Sequence, residues 1–117
     1  PSFFDSHTDH YVTVKATLSC IKWFRNKSIK RVLGYEVLSE TNFNYLEGGF
    51  KPNVYIDISS FLQKKINAMK IYKTEFKKHP FPRSPESIKS LAILRGSESG
   101  FKAAEAFHLY IDRSDIN

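Results

Sequence analysis

The stretch FFDSHTDHYV, residues 3 to 12, holds two histidines three apart, His7 and His10, with Asp9 between them and Asp5 just ahead. On a helix, residues three apart lie on one side, so both imidazoles can serve one spot. Imidazole nitrogen suits zinc, and a catalytic zinc takes three protein ligands and keeps a fourth position for water. His7 and His10 therefore supply at most two ligands, or one ligand and one acid–base group. Asp9 can accept the second N–H of an imidazole and so orient the ring. The same residues also read as a plain helix start, with Asp5 or Ser6 as cap beside two surface histidines. Short patterns of this kind often match by chance, and the spacing alone leaves both readings open.

The elements that must position these groups can be read from periodicity. Tyr11, Val14, Leu18, Ile21 and Phe24 or Arg25 recur at helical spacing, widened by Val12, Ala16, Cys20 and Trp23, and predict a helix over about 8–25. Asn26, Lys27 and Ser28 end it. Residues 31–38 and 53–59 are rich in β-branched and aromatic side chains and read as strands. Between them, 39–52 is a long polar and aromatic loop. Phe61, Leu62, Ile66, Met69 and Phe76 mark a long amphipathic helix, with Ser59 or Ser60 as its cap. His79-Pro80-Phe81-Pro82 breaks the chain. Ser84-Pro85-Glu86 starts another helix: a capping serine, a proline in the first turn and a carboxylate facing the helix dipole. Gly96 implies close packing and Gly100 a cap or break. Residues 106–111 read as a last strand or a packed terminal segment. Strands separated by helices predict an α/β fold with a partly parallel sheet. Helices flanking so small a sheet would leave much of it uncovered.

Composition narrows the classes. With 117 residues, 41% hydrophobic and 15% aromatic, the chain is one domain's worth of globular sequence rather than a disordered one. The net charge of +6 gathers in residues 64–79. Helical periodicity there favours a solvated face over a working basic patch, and no nucleic-acid-binding signature accompanies it. A single cysteine, Cys20, excludes an intrachain disulfide, fits a reducing, cytoplasmic setting, and reads as a small buried or half-buried hydrophobe. No apolar run is long enough to span a membrane, and no leader is visible. Trp23 and Met69 read as core.

Four segments in order carry a family resemblance. His7-Thr8-Asp9-His10 resembles the His-Pro-Asp-His motif of the PIG-L/LmbE-like N-deacetylases, zinc enzymes acting on N-acetylglucosamine-type sugars. Residues 30–43 and 50–59 resemble the strands that follow it. Residues 83–110, with Arg95-Gly96 inside a helix and Ala104-Glu105-Ala106-Phe107 beyond a turn, resemble the family's C-terminal signature. The resemblance implies a Rossmann-like three-layer fold, with residues 1–117 forming the C-terminal portion of a single deacetylase domain. It implies zinc as cofactor, His10 as a zinc ligand, and His7 as the group that polarises the intermediate or protonates the leaving amine. Asp9 would tune His7. Thr8 departs from the family's proline. The family's Ala-His-Pro-Asp-Asp motif, which supplies the other two ligands and the general base, has no counterpart here. A missing N-terminal half or a second chain is therefore the implied partner, with a homo-oligomer left open, and neither nucleic acid nor membrane insertion is expected. Thr41, Asn42 and Phe43, in a loop past a strand's C-terminal end, are candidate contacts to an amino sugar, where open α/β sheets place their ligands. A module without catalysis, folding by docking to another chain, is the alternative.

Overall fold

The computed structural model describes residues 1–45 and 48–114. Leu46 and Glu47, inside the loop expected at 39–52, lie outside the described residues. The chain forms two compact units, one of Pro1–Val54 joined by the chain from Phe107 onward, the other Tyr55–Ala106. The elements are helix α1 (Thr8–Cys20), strand β1 (Arg31–Tyr35), a single 3₁₀ turn at Thr41–Phe43, strand β2 (Val54–Asp57), helices α2 (Leu62–Met69) and α3 (Pro85–Ser99), and strand β3 (Ala104–Asp112).

The mixed helix-and-strand class is as expected, but the sheet is not partly parallel. The strand order is β1-β3-β2, and β1 runs antiparallel to β3, with Arg31 opposite Asp112 and Tyr35 opposite Phe107. On the other edge, Asn53 N–H donates to Phe107 O (2.9 Å) and Ile58 N–H to Ala103 O (3.0 Å), again in opposite senses. The physical reason is the place of β3. The last strand inserts between the first two and runs against both, so among the described residues no strand has a parallel neighbour and no crossover helix joins β1 to β2.

In the first unit, Gly34 on β1 leaves room for the Tyr110 ring, which a Cβ there would meet at 2.6 Å. The Tyr110 hydroxyl in turn accepts the Phe3 N–H at 3.2 Å. A glycine in a strand thus lets a tyrosine cross to the N-terminal segment and hold it. Helix α1 buries Val14, with Ile21 buried at its C-cap. It stops earlier than its apolar spacing implies: Arg25 and Asn26 N–H groups turn back to Lys22 O in a separate turn. Two expectations fall with this. Trp23 is 63% exposed rather than core, and Cys20 is exposed rather than buried.

In the second unit, Ile58, Ala92 and Ala103 form the core, with Leu62 packed on it, and α2 packs on α3. Helix α2 is shorter than expected, because beyond Met69 the N–H groups of Ile71, Tyr72 and Glu75 bond three residues back, in tight turns. Its cap position is Phe61, with no side-chain cap. Ser59 instead donates its hydroxyl and its N–H to the Asp57 carboxylate. These bonds, the hydroxyl's first and then the N–H's, hold the Asp57 pKa below the ordinary aspartate value. Asp57 therefore stabilises the fold at pH above the ordinary aspartate value, and that contribution disappears as pH falls through its lowered folded value. Asp57→Ala is expected to flatten the acid side of the stability curve while changing its neutral-to-basic shape little, as read from urea midpoints across pH.

Helix α3 begins as its sequence indicates. The buried Ser84 hydroxyl accepts the Ser87 N–H at 3.1 Å and Pro85 opens the helix. Ser84→Ala is expected to cost about 1–2 kcal/mol, the upper range for a lost cap because this one is buried; the urea midpoint reads it. At the other end Gly100, with φ 79°, closes the helix in the left-handed region, donating its N–H to Gly96 O.

Candidate metal and acid–base site

The site residues all belong to the first unit. Ahead of α1, Asp5 N–H bonds Ser2 O (3.2 Å), closing a turn. The Asp5 side chain is then carried fully into the interior, 0% exposed. There its carboxylate collects three neighbours. Oδ1 accepts the His7 N–H at 3.1 Å. Oδ2 accepts the Thr41 hydroxyl at 3.2 Å, and lies 3.1 Å from His10 Nδ1. The His10 approach meets the distance of a hydrogen bond but not its alignment.

His7, and neither Asp5 nor Ser6, is the N-cap of α1. Its Nδ1 accepts the Asp9 N–H at 3.2 Å. One turn on, His10 follows, and the two rings stack with centroids 4.8 Å apart and planes 28° from parallel. The spacing thus does bring both imidazoles together. The link from Asp9 to His7 differs from expectation: it runs through the Asp9 backbone N–H. An Nδ1 that accepts an N–H leaves Nε2 as the protonated nitrogen of the neutral ring, so His7 offers Nε2–H as a donor.

The second strand-end loop reaches the same place. Thr41 N–H bonds Val37 O, and Thr41 Oγ1 accepts Val37 N–H at 2.7 Å while donating to Asp5. Ser6 Oγ bonds Glu40 O at 2.9 Å. Ser39 takes a positive φ of 81° and its N–H is held by Asn42 Oδ1 at 2.8 Å. A non-glycine residue in that region is costly and is held by its surroundings. Of the three candidate sugar contacts, Thr41 is buried, with its hydroxyl engaged as both donor and acceptor, and joins the loop to Asp5. Asn42 and Phe43 remain at the surface.

Sequence reasoning missed Asp5 as the centre of this network. The sole hint was its place two residues before His7, where an aspartate can accept the N–H of residue i+2 in an Asx turn. Arg95 and Glu105 take structural parts in the second unit, Arg95 pairing with Glu98 at 2.9 Å and Glu105 with Lys65.

As a test of fit to zinc, His10 turns Nδ1 toward the Asp5 carboxylate at 3.1 Å without the alignment of a hydrogen bond, so Nε2 is the nitrogen that could serve a metal. Among the described residues, no group of three or more histidines, cysteines, aspartates or glutamates is placed to hold an ion together. No helix among them is long and apolar enough to cross a membrane. No family model matches the chain, and comparison with curated proteins and with solved structures gave no match either.

Proposed function

We propose that this chain is the C-terminal portion of a zinc-dependent N-deacetylase of the PIG-L/LmbE-like kind. It would act in the cytoplasm on an N-acetylglucosamine-type amino sugar, with its site completed by a second polypeptide. The observation that carries the reading is the stacked His7–His10 pair, with His10 backed by the buried Asp5. In it the two rings have different tasks. His10 presents Nε2 as one ligand. His7 donates a hydrogen bond from its Nε2–H to the amide oxygen as negative charge develops there. Asn42 and Phe43, exposed on the adjoining loop, provide a polar group and an aromatic face for the sugar. Zinc, when bound, supplies an acidified water and a polarised amide carbonyl. The base that takes the water proton and the remaining ligands come from the second polypeptide.

Helix α1 supports the need for that polypeptide. Val12, Thr13, Ala16, Thr17 and Cys20 share an exposed, uncharged face. The Thr13 and Thr17 hydroxyls are internally bonded to Asp9 O (2.7 Å) and Thr13 O (2.8 Å), so the face has little need of water. A layered Rossmann-like sheet would arise by adding strands to an edge, β1 or β2.

The rival reading, an interaction module without catalysis, rests on the amount of exposed apolar surface. Val12 is 63%, Phe24 60% and Ile71 76% exposed, more than solitary surface hydrophobes explain. The two are separated by incubating an N-acetylglucosamine substrate with the chain, alone and with an N-terminal polypeptide bearing the Ala-His-Pro-Asp-Asp motif. Acetate release by the pair supports the deacetylase. A tight pair that releases none supports the module.

A further inference from the structure

We infer that Asp5 is a positioning residue that holds His10 in the Nδ1–H tautomer, while His7 beside it is held in the opposite, Nε2–H, tautomer. His10 Nδ1 is buried, and Asp5 Oδ2 lies 3.1 Å from it. A carboxylate only accepts. An unprotonated Nδ1 would set a lone pair against a negative oxygen in a site shielded from water, whereas an N–H there is attracted even off the ideal line. The proton therefore sits on Nδ1, and the lone pair on Nε2.

Asp5 cannot swing away to relieve a mismatch. Its Oδ1 is tied to the His7 N–H and its Oδ2 to the Thr41 hydroxyl. Thr41 is fixed in turn by the Val37 N–H. The loop after β1 thereby sets which nitrogen of a helix histidine carries the proton. His7 is governed by a different donor, the Asp9 backbone N–H on its Nδ1. Two stacked imidazoles thus carry their protons on different nitrogens: one ring offers an outward lone pair, the other an outward N–H. The bearing of this on metal binding rests on the deacetylase reading, whereas the tautomers do not.

The test is long-range ¹H–¹⁵N correlation of the histidine rings in the metal-free chain, at a pH above the ordinary imidazole range. The expected spectrum gives His10 a pyrrole-type Nδ1 and pyridine-type Nε2, and His7 the reverse. Asp5→Asn is close in shape. With its carbonyl kept on the His7 N–H, it turns an amide NH₂ toward His10 Nδ1, and His10 is expected to convert to the Nε2–H form while His7 stays unchanged. Asp5→Ala is expected to move His10 the same way in part. The wild-type spectrum alone can overturn the inference, by placing the His10 proton on Nε2. So can an Asp5→Asn spectrum in which His10 is unmoved. With the N-terminal polypeptide present, Asp5→Asn is also expected to weaken zinc about 10–100-fold, the usual effect of losing a ligand's outer partner. Tautomers as described with no zinc bound by the pair would sink the metal reading and leave the inference standing.

Discussion

His10→Ala, assayed with the N-terminal polypeptide present, is expected to lower acetate release from an N-acetylglucosamine-type substrate by more than about 100-fold, with loss of zinc. Losing an outer partner of a metal ligand typically costs about 10–100-fold, and His10 is proposed as the ligand itself. His7→Ala provides the contrast. Its ring is stacked on His10 with centroids 4.8 Å apart, but its Nδ1 is occupied by the Asp9 N–H, so it is proposed as a hydrogen-bond donor to the developing oxyanion. Removing one such donor is expected to cost about 100- to 1,000-fold in turnover, with zinc retained. The ratio of zinc to rate thus separates the two histidines. Equal zinc loss in both variants would mean that both ligate, and the proposal of His7 as oxyanion donor would fail.

Gly96→Ala is the second large effect, and it falls on stability. A Cβ at Gly96 would lie 2.6 Å from Phe101 O, 2.9 Å from Ala103 N and 3.0 Å from Ala103 Cα. All three are backbone atoms, so no flexible side chain can yield. Alanine gains about 1 kcal/mol over glycine as a helix former. Overpacking in a tight site costs about 1–3 kcal/mol and occasionally more. With backbone on the far side, the upper end applies and overpacking wins. The expected net loss is about 2 kcal/mol, a large share of a small domain's stability, seen as a lower urea midpoint with an unchanged slope. A change within about 0.5 kcal/mol, as ordinary surface positions give, would mean that α3 does not approach the 101–103 segment this closely.

Both assignments depend on sequence features of unequal legibility. The start and end of α3 could be read directly, since Ser84, Pro85 and Gly100 act on their own backbone and nothing distant competes. Gly96 could be read as close packing, although what it packs on could not. The pairing of His7 with His10 follows from helical spacing. Strand direction did not follow, because the connection order of β1, β2 and β3 is compatible with several sheet arrangements, and the placement of β3 in the centre is a tertiary outcome. Nor did the shortness of α2: its apolar spacing runs on past Met69, but the backbone tightens into turns there. Asp5 was hidden for a related reason. A carboxylate near a helix start is ordinarily a cap, and only the approach of Thr41, 36 residues on, takes it inside. Trp23 and Val12 look like core by residue type, yet each is 63% exposed.

Zinc stoichiometry after dialysis tests the central assignment most directly, measured for the chain alone, for the chain with the N-terminal polypeptide, and for that pair carrying His10→Ala. The expected result is one retained equivalent in the pair, with little in the chain alone and little in the His10→Ala pair. A full equivalent retained by the chain alone, or by the pair without the His10 imidazole, would contradict it.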